Sequence, residues 1–248
     1  MPFELLFDDE HYVAVNKPAG LAAIPGRGET TCAIEALSLQ LRLPCSGTKD
    51  PRLRVVHRID KDTSGVLLLA KNIEAQRHAS HQFQNNAIHK EYLAIVAGRP
   101  MEAEGEIDAP IGVHPANRRL MSIGKHGRPA RTQWKLEQQF RTVSLLRVFP
   151  LTGKTHQIRV HLRSIGLPLA IDELYNPLPA GEAPGLMLSS FKRDYRQKPE
   201  GERPLIARLT LHAEKLTFAH LDGRTIEIVA PPPKDFRAAL SQLRKHGC

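Results

Sequence analysis

The chain has 248 residues, 41% hydrophobic and 25% charged, with a formal net charge of +9. That composition excludes a disordered or collagen-like chain, and it allows one large domain or two small ones whose core needs no covalent staples. The basic excess favours a polyanionic partner, with RNA or DNA ahead of a membrane surface.

The N-terminal stretch MPFELLFDDEHYV carries acids where a secretory leader carries bases. It reads as two short strands about Asp8-Asp9-Glu10, the second running His11–Asn16 and stopped by Lys17-Pro18-Ala19-Gly20. TCAIEALSLQLRL has Ile34, Leu37 and Leu41 at helical spacing, with Thr31 or Thr30 as the expected N-cap. Val66–Ala70 reads as a buried strand, 72–86 as a polar helix, and HKEYLAIVAG (89–98) as a strand. Residues 105–130 are short extended pieces. RTQWKLEQQF and TVSLLRVFPLTG alternate as antiparallel partners, and THQIRVHLRSIG turns helical. The Pro- and Gly-rich segment 176–204 reads as an insertion or mobile loop. A hairpin about Asp222-Gly223 and a C-terminal helix close the chain. Strands joined by short turns outnumber helices, which predicts an α+β domain with a mixed, mostly antiparallel sheet.

Three cysteines without a CxxC argue against a disulfide framework or a structural zinc site and fit a cytoplasmic protein. No stretch approaches the roughly 20 apolar residues that span a bilayer. His156 and His161 are five apart and miss the spacing of a helical metal pair, so no metal is expected. TGKT (152–155) lacks the Gly-rich loop of a nucleotide-phosphate site, so no nucleotide cofactor is expected either.

The stretch VVHRIDKDTSGVLLL (55–69) sets five charged or titratable groups against a buried strand. An arginine beside a carboxylate holds it ionised, which suits a nucleophile or base. That assigns chemistry to Asp60. Asp62, Thr63 and Ser64 read as the turn that feeds the strand. A hydrolase built on Ser64 is disfavoured, because DTSGV is not a GxSxG elbow.

The same stretch resembles the HR[LI]D-x-x-TSG motif of the RluA family of pseudouridine synthases. VAVNKPAGL (13–21), HKEYLAIVAG (89–98) and PLTGKTHQIRVHLRSIGLPL (150–169) look like three further motifs of that family, in the family's order, and LTLHAEKLTFAH (209–220) is a weaker match. The resemblance implies a pseudouridine synthase-like fold flanked by helices and loops, with residues 1–248 as a single catalytic domain and no separate N-terminal RNA-binding domain. It implies a cofactor-free isomerase of uridines in rRNA or tRNA, acting as a monomer. Asp60 is implied as the catalytic aspartate, Tyr92 as the aromatic beneath the target base and Arg159 as the aspartate's partner. Arg58 is implied as the residue that fills the gap left by the flipped base, and His57, Thr63, Lys154, His156 and Gln157 as RNA-binding residues. Apart from the motif pattern, Tyr92 reads as a core aromatic and Arg159 as a surface charge. The alternative is a non-catalytic RNA-binding assembly protein that keeps the fold. One departure stands out: Ile171 lies where the family carries a glycine, which puts the local backbone in question. Phosphate contacts are expected from Arg27, Arg118, Arg119, Lys125, Arg128, Lys192, Arg193 and Arg196.

Overall fold

A computed structural model describes residues 2–26, 31–45, 50–177, 185–192, 194–196 and 201–247. In chain order the elements are β1 Leu5–Asp8, β2 Tyr12–Lys17, α1 Ala33–Leu41, β3 Arg54–Val55, β4 Ser64–Ala70, α2 Ile73–Gln84 and β5 His89–Ala97. There follow β6 Glu104–Asp108, β7 Ile111–Val113, β8 Met121–Ile123, β9 Arg131–Gln139, β10 Val143–Pro150 and α3 Gln157–Ser164. The chain ends with β11 Leu211–Ala219, β12 Thr225–Val229 and α4 Lys234–His246. The pairing is mixed and mostly antiparallel, so the α+β expectation holds. Two compact units form: Met1–Glu91 with His212–Pro231, and Tyr92–Leu211 with Pro232–Cys248.

In the first unit, Asp9 shapes the β1–β2 turn. Its Oδ1 accepts the N–H groups of His11 (2.8 Å) and Tyr12 (2.7 Å). β2 runs antiparallel to β4 from Tyr12 beside Ala70 to Lys17 beside Gly65. Every residue of β4 is buried, because the two sides of the strand face different layers. Val66 and Leu68 pack with Tyr12, Ala14 and the α2 residues Ala75 and Ala79. Leu67 and Leu69 pack with Val13, Val15 and the α1 residues Ile34 and Leu37. The two-residue strand period thus meets a helix on each side. Each fully buried Leu contributes about 2 kcal/mol by removal from water.

The expected threonine cap of α1 is not what forms. Cys32 holds the N-cap position without a side-chain bond, and Thr30 lies outside the described residues. The first helical N–H groups are met by backbone instead: Ala33 N–H donates to the Ala22 carbonyl (2.7 Å) and Ile34 N–H to that of Ala23 (3.2 Å). With the orphan donors satisfied by a neighbouring loop, a side-chain cap is superfluous. α2 is capped conventionally, Asn72 accepting from Ala75 N–H at 2.8 Å.

The second unit pairs β5, β10, β9 and β6 antiparallel in that order. Ala94, Val96, Leu146 and Val148 pack with α3 through Ile158 and Leu162. Leu93, Ile95, Val143 and Leu145 pack in a cluster with α4 through Phe236, Leu240 and Leu243. The segment 176–204, expected as an insertion or mobile loop, contributes to this core where it is described. Leu186 and Phe191 are buried in the α4 cluster beside Ile206; Leu186 N–H donates to the Ile206 carbonyl (2.8 Å) and the Leu186 carbonyl accepts from Leu205 N–H (2.9 Å). Its Pro- and Gly-rich composition hid these scattered anchors. Among the described residues no helix is long and apolar enough to cross a membrane.

Candidate active site

In the first unit, the HRID loop is held at several points. Gln76 of α2 donates to the Val55 carbonyl at the end of β3 (3.1 Å). His57 lies flat on Phe83 of α2, ring centroids 4.5 Å apart, and its Nε2 accepts the N–H of Leu68 (2.9 Å). Burial, helped by the charge of Lys90, pushes the His57 imidazole down to about 3, so the ring is neutral. Arg58 is exposed, Ile59 is buried as an anchor, and Asp60 is partly buried. The Asp60 carbonyl accepts from Thr63 N–H (3.2 Å), closing a turn over Asp60–Thr63.

A second tether comes from the NKPAG motif. Lys17 is fully buried, and its Nζ donates to the carbonyls of Pro18 (2.8 Å), Leu21 (2.7 Å) and Lys61 (2.9 Å). An ammonium has three donors, and these bonds tie the NKPAG loop to the residue after Asp60. The lysine was visible in its motif, but nothing in the residue type indicated three carbonyl partners.

Ser64 is buried and pairs with His212 Nδ1 at 3.0 Å. His212 Nε2 faces the Ala230 carbonyl at 3.0 Å. The carbonyl assigns the proton to Nε2, so Nδ1 accepts from the serine hydroxyl. Both residues are wholly out of solvent, which removes the hydrolase reading of Ser64. Gly65 follows at φ +118, and a Cβ there would lie 2.1 Å from the Ala213 carbonyl oxygen of β11. The glycine of TSG therefore permits β11 to approach β4. Gly65→Ala is expected to cost about 3 kcal/mol, combining backbone strain with overpacking, read as a fall in the thermal midpoint. An unchanged midpoint would contradict this role.

In the second unit, a chain of hydrogen bonds fixes the TGKTHQ turn. Gln157 Oε1 accepts from Lys154 N–H (2.9 Å) and the Thr152 hydroxyl (2.7 Å). Its Nε2 donates to the Arg131 carbonyl (2.9 Å) and Thr132 Oγ1 (3.0 Å). Thr132 in turn bonds His161 Nδ1 (2.9 Å), and His161 Nε2 faces the Ala109 carbonyl (2.9 Å). Burial lowers the His161 pKa, which agrees with a neutral ring donating to Ala109. The Gln157 amide makes two acceptor and two donor bonds, its full capacity. Its part is to hold the turn.

Arg159 is buried, with its fork on Asp172: Nε to Oδ2 at 2.8 Å and Nη2 to Oδ1 at 2.7 Å. The surface-charge reading of Arg159 is thereby excluded. Asp172 Oδ1 also accepts the N–H groups of Leu174 (3.0 Å) and Tyr175 (3.1 Å). The Arg159 guanidinium lies 4.9 Å from the centre of the Tyr175 ring. The Tyr175 hydroxyl accepts from Met121 N–H of β8 and meets His156 Nδ1, both at 2.8 Å. His156 takes a left-handed backbone, φ 55, as the N-cap of α3. Tyr92, beside Val148 in the β5–β10 pairing, is half-buried against the α3 cluster.

Asp172 and Tyr175 are the site residues that reading the sequence missed. They stood in the segment whose Ile171 departs from the family pattern. The structure removes the question that Ile171 raised. Its φ is not positive, its side chain is buried, and its backbone bonds both ways with Thr210.

Among the expected phosphate contacts, Arg118, Arg119, Lys125, Arg128 and Arg196 are exposed and Lys192 is half-buried. Arg27 and Arg193 lie outside the described residues. Among the described residues, no three His, Cys, Asp or Glu side chains group so as to hold a metal ion.

The family described as RNA pseudouridylate synthase matches residues 11–164. The chain is 37% identical over 249 residues to a ribosomal large subunit pseudouridine synthase D of Nitrosomonas europaea, covering 98% of this chain and 66% of that protein. It is 37% identical to the Xanthomonas campestris protein of the same name, covering 99% and 70%. Among solved structures, human RNA pseudouridylate synthase domain containing 4 superposes with a TM-score of 0.72 at 26% identity, covering 97% of this chain and 92% of that one.

Proposed function

The chain belongs to the RNA pseudouridylate synthase family, isomerases that convert uridine in RNA to pseudouridine, and from that premise we propose that it modifies specific uridines of large-subunit ribosomal RNA with Asp60 as the acting carboxylate. The observation that carries the role of Asp60 is the construction of its loop. A buried lysine, a neutral histidine and a closed turn fix the backbone around one half-buried carboxylate, with the exposed Arg58 two residues before it. The ribosomal target is supported by the names of the bacterial relatives. Transfer RNA is the other substrate class for the test to separate.

The reaction breaks the N1–C1′ bond, turns the base and joins C5 to C1′. It needs neither a redox step nor a group donor. The Asp60 carboxylate acts on the sugar, by attack on C1′ or by removal of the C2′ proton. Arg159, oriented by Asp172, takes the catalytic-cation role that the family pattern assigns it, since a positive charge favours an ionised carboxylate. Tyr92 lies under the uracil and relays the C5 proton. Arg58 takes the place of the base in the RNA stack, reducing an unstacking cost of a few kcal/mol. Lys154 and His156 contact the RNA backbone, while His57, Thr63 and Gln157 shape the loops that do so. The whole chain, residues 1–248, serves this one reaction as a monomer in the cytoplasm.

Incubating the protein with large-subunit rRNA and with tRNA, then mapping pseudouridine, tests the substrate. New pseudouridine in rRNA alone is expected. Product in tRNA alone would move the proposal to that class. Affinity for the RNA should also fall about 10³-fold between 50 and 200 mM salt if six or more phosphates are contacted. A flat response would remove the basic residues from the interface.

A further inference from the structure

His57 belongs to the HRID motif, yet its ring faces into the first unit. β4 has β2 along one edge. Along the other edge β11 runs parallel to its start, with His212 beside Ser64 and Ala213 beside Gly65. β3 runs antiparallel to its end, with Arg54 beside Ala70 and Val55 beside Leu69. The next place in that register belongs to Val56 opposite Leu68. There the acceptor for the Leu68 N–H is the His57 imidazole, at 2.9 Å, rather than a strand carbonyl. A buried backbone N–H left without an acceptor is strongly unfavourable. The ring therefore satisfies the strand and frees the backbone after Val55 to leave the sheet. Phe83 stacks on the ring at an interplanar angle of 14°, and Gln76, about two helical turns before it, holds the Val55 carbonyl. α2 thus grips both the end of the strand and the side chain that replaces its continuation.

We propose that His57 is a positioning residue: its imidazole substitutes for a strand carbonyl at Leu68, so that the chain departs from the sheet where Arg58 and Asp60 are delivered to the RNA. The inference rests on the reading of Asp60 as the acting carboxylate. It assigns His57 no contact with the substrate.

The test compares His57→Phe, which keeps the stack and removes the acceptor, with His57→Gln, whose amide oxygen restores an acceptor of similar reach. In His57→Phe the Leu68 amide is expected to exchange with solvent about tenfold faster. Its kcat should fall about 100-fold, as for a misplacement of about 1 Å, with KM within about twofold. His57→Gln should recover most of both losses. A rise in KM at unchanged kcat would show that the ring touches RNA and would overturn the proposal, as would an unchanged Leu68 exchange rate in His57→Phe. If His57→Phe fails to fold, His57→Gln decides alone: near wild-type kcat with a protected Leu68 amide supports the role. A loss of kcat with Leu68 still protected means that the imidazole acts chemically, and the role falls. Exchange at Leu68 is read without substrate, so it stands apart from any failure of the Asp60 reading, which Asp60→Asn tests separately.

Discussion

Asp60→Asn is expected to slow pseudouridine formation by ~10⁴-fold or more, while RNA affinity stays within about threefold. Asparagine keeps the size of the side chain and the backbone turn in which the Asp60 carbonyl accepts from Thr63 N–H. What it loses is the anionic oxygen. Attack on C1′ and removal of the C2′ proton both require that oxygen, so both routes stop together. Single-turnover assays on large-subunit rRNA, run beside a binding titration, separate chemistry from binding. More than a tenth of wild-type rate in the variant would end the assignment of Asp60. The Lys17 tether to the Lys61 carbonyl does not involve the carboxylate, so it persists in the variant.

Asp172→Ala should be the most destabilising single change in the second unit. Arg159 and Asp172 are 5% and 2% exposed, and the alanine takes the bidentate carboxylate away from a buried guanidinium, breaking a buried ion pair at a cost of about 3–5 kcal/mol. For a chain of this size that is a drop of ~10 °C in the thermal midpoint. The double replacement Arg159→Met with Asp172→Leu should recover much of the midpoint, because it removes both charges together. It should not recover activity, since the guanidinium is gone. If the single and double variants melt alike, the pair is not the stabilising unit described here. Asp172 also accepts from Leu174 and Tyr175 N–H, so part of the loss will persist in the double variant.

The sequence carried the element order well, for reasons visible in the packing. β2 and β4 are buried on both sides and read as apolar runs, and the α3 segment keeps Ile158 and Leu162 four apart on its buried side. The family motifs also fell on loops and strand ends of the described fold. What could not be read depends on partners distant along the chain. Thr31 looks like a cap until the loop carbonyls of Ala22 and Ala23 take the helix N–H groups first. Gln157 and His57 look like polar residues awaiting RNA until Thr132 and Leu68 occupy them. Asp172 is one carboxylate among 26 acidic residues in sequence. It stands apart only once Arg159, thirteen positions earlier, is buried against it. Segment 176–204 differs from its loop reading because one short stretch inside it, with Leu186, Leu188 and Phe191, reaches the α4 cluster, while Pro and Gly dominate its composition.

The most direct test of the central claim is a map of pseudouridine across total RNA from cells lacking this protein, repeated after restoring either wild type or Asp60→Ala at equal protein level. The expected result is the loss of one or more large-subunit rRNA pseudouridines, regained with wild type and not with Asp60→Ala. A map unchanged by the deletion, or a lost site regained with Asp60→Ala, would contradict the account.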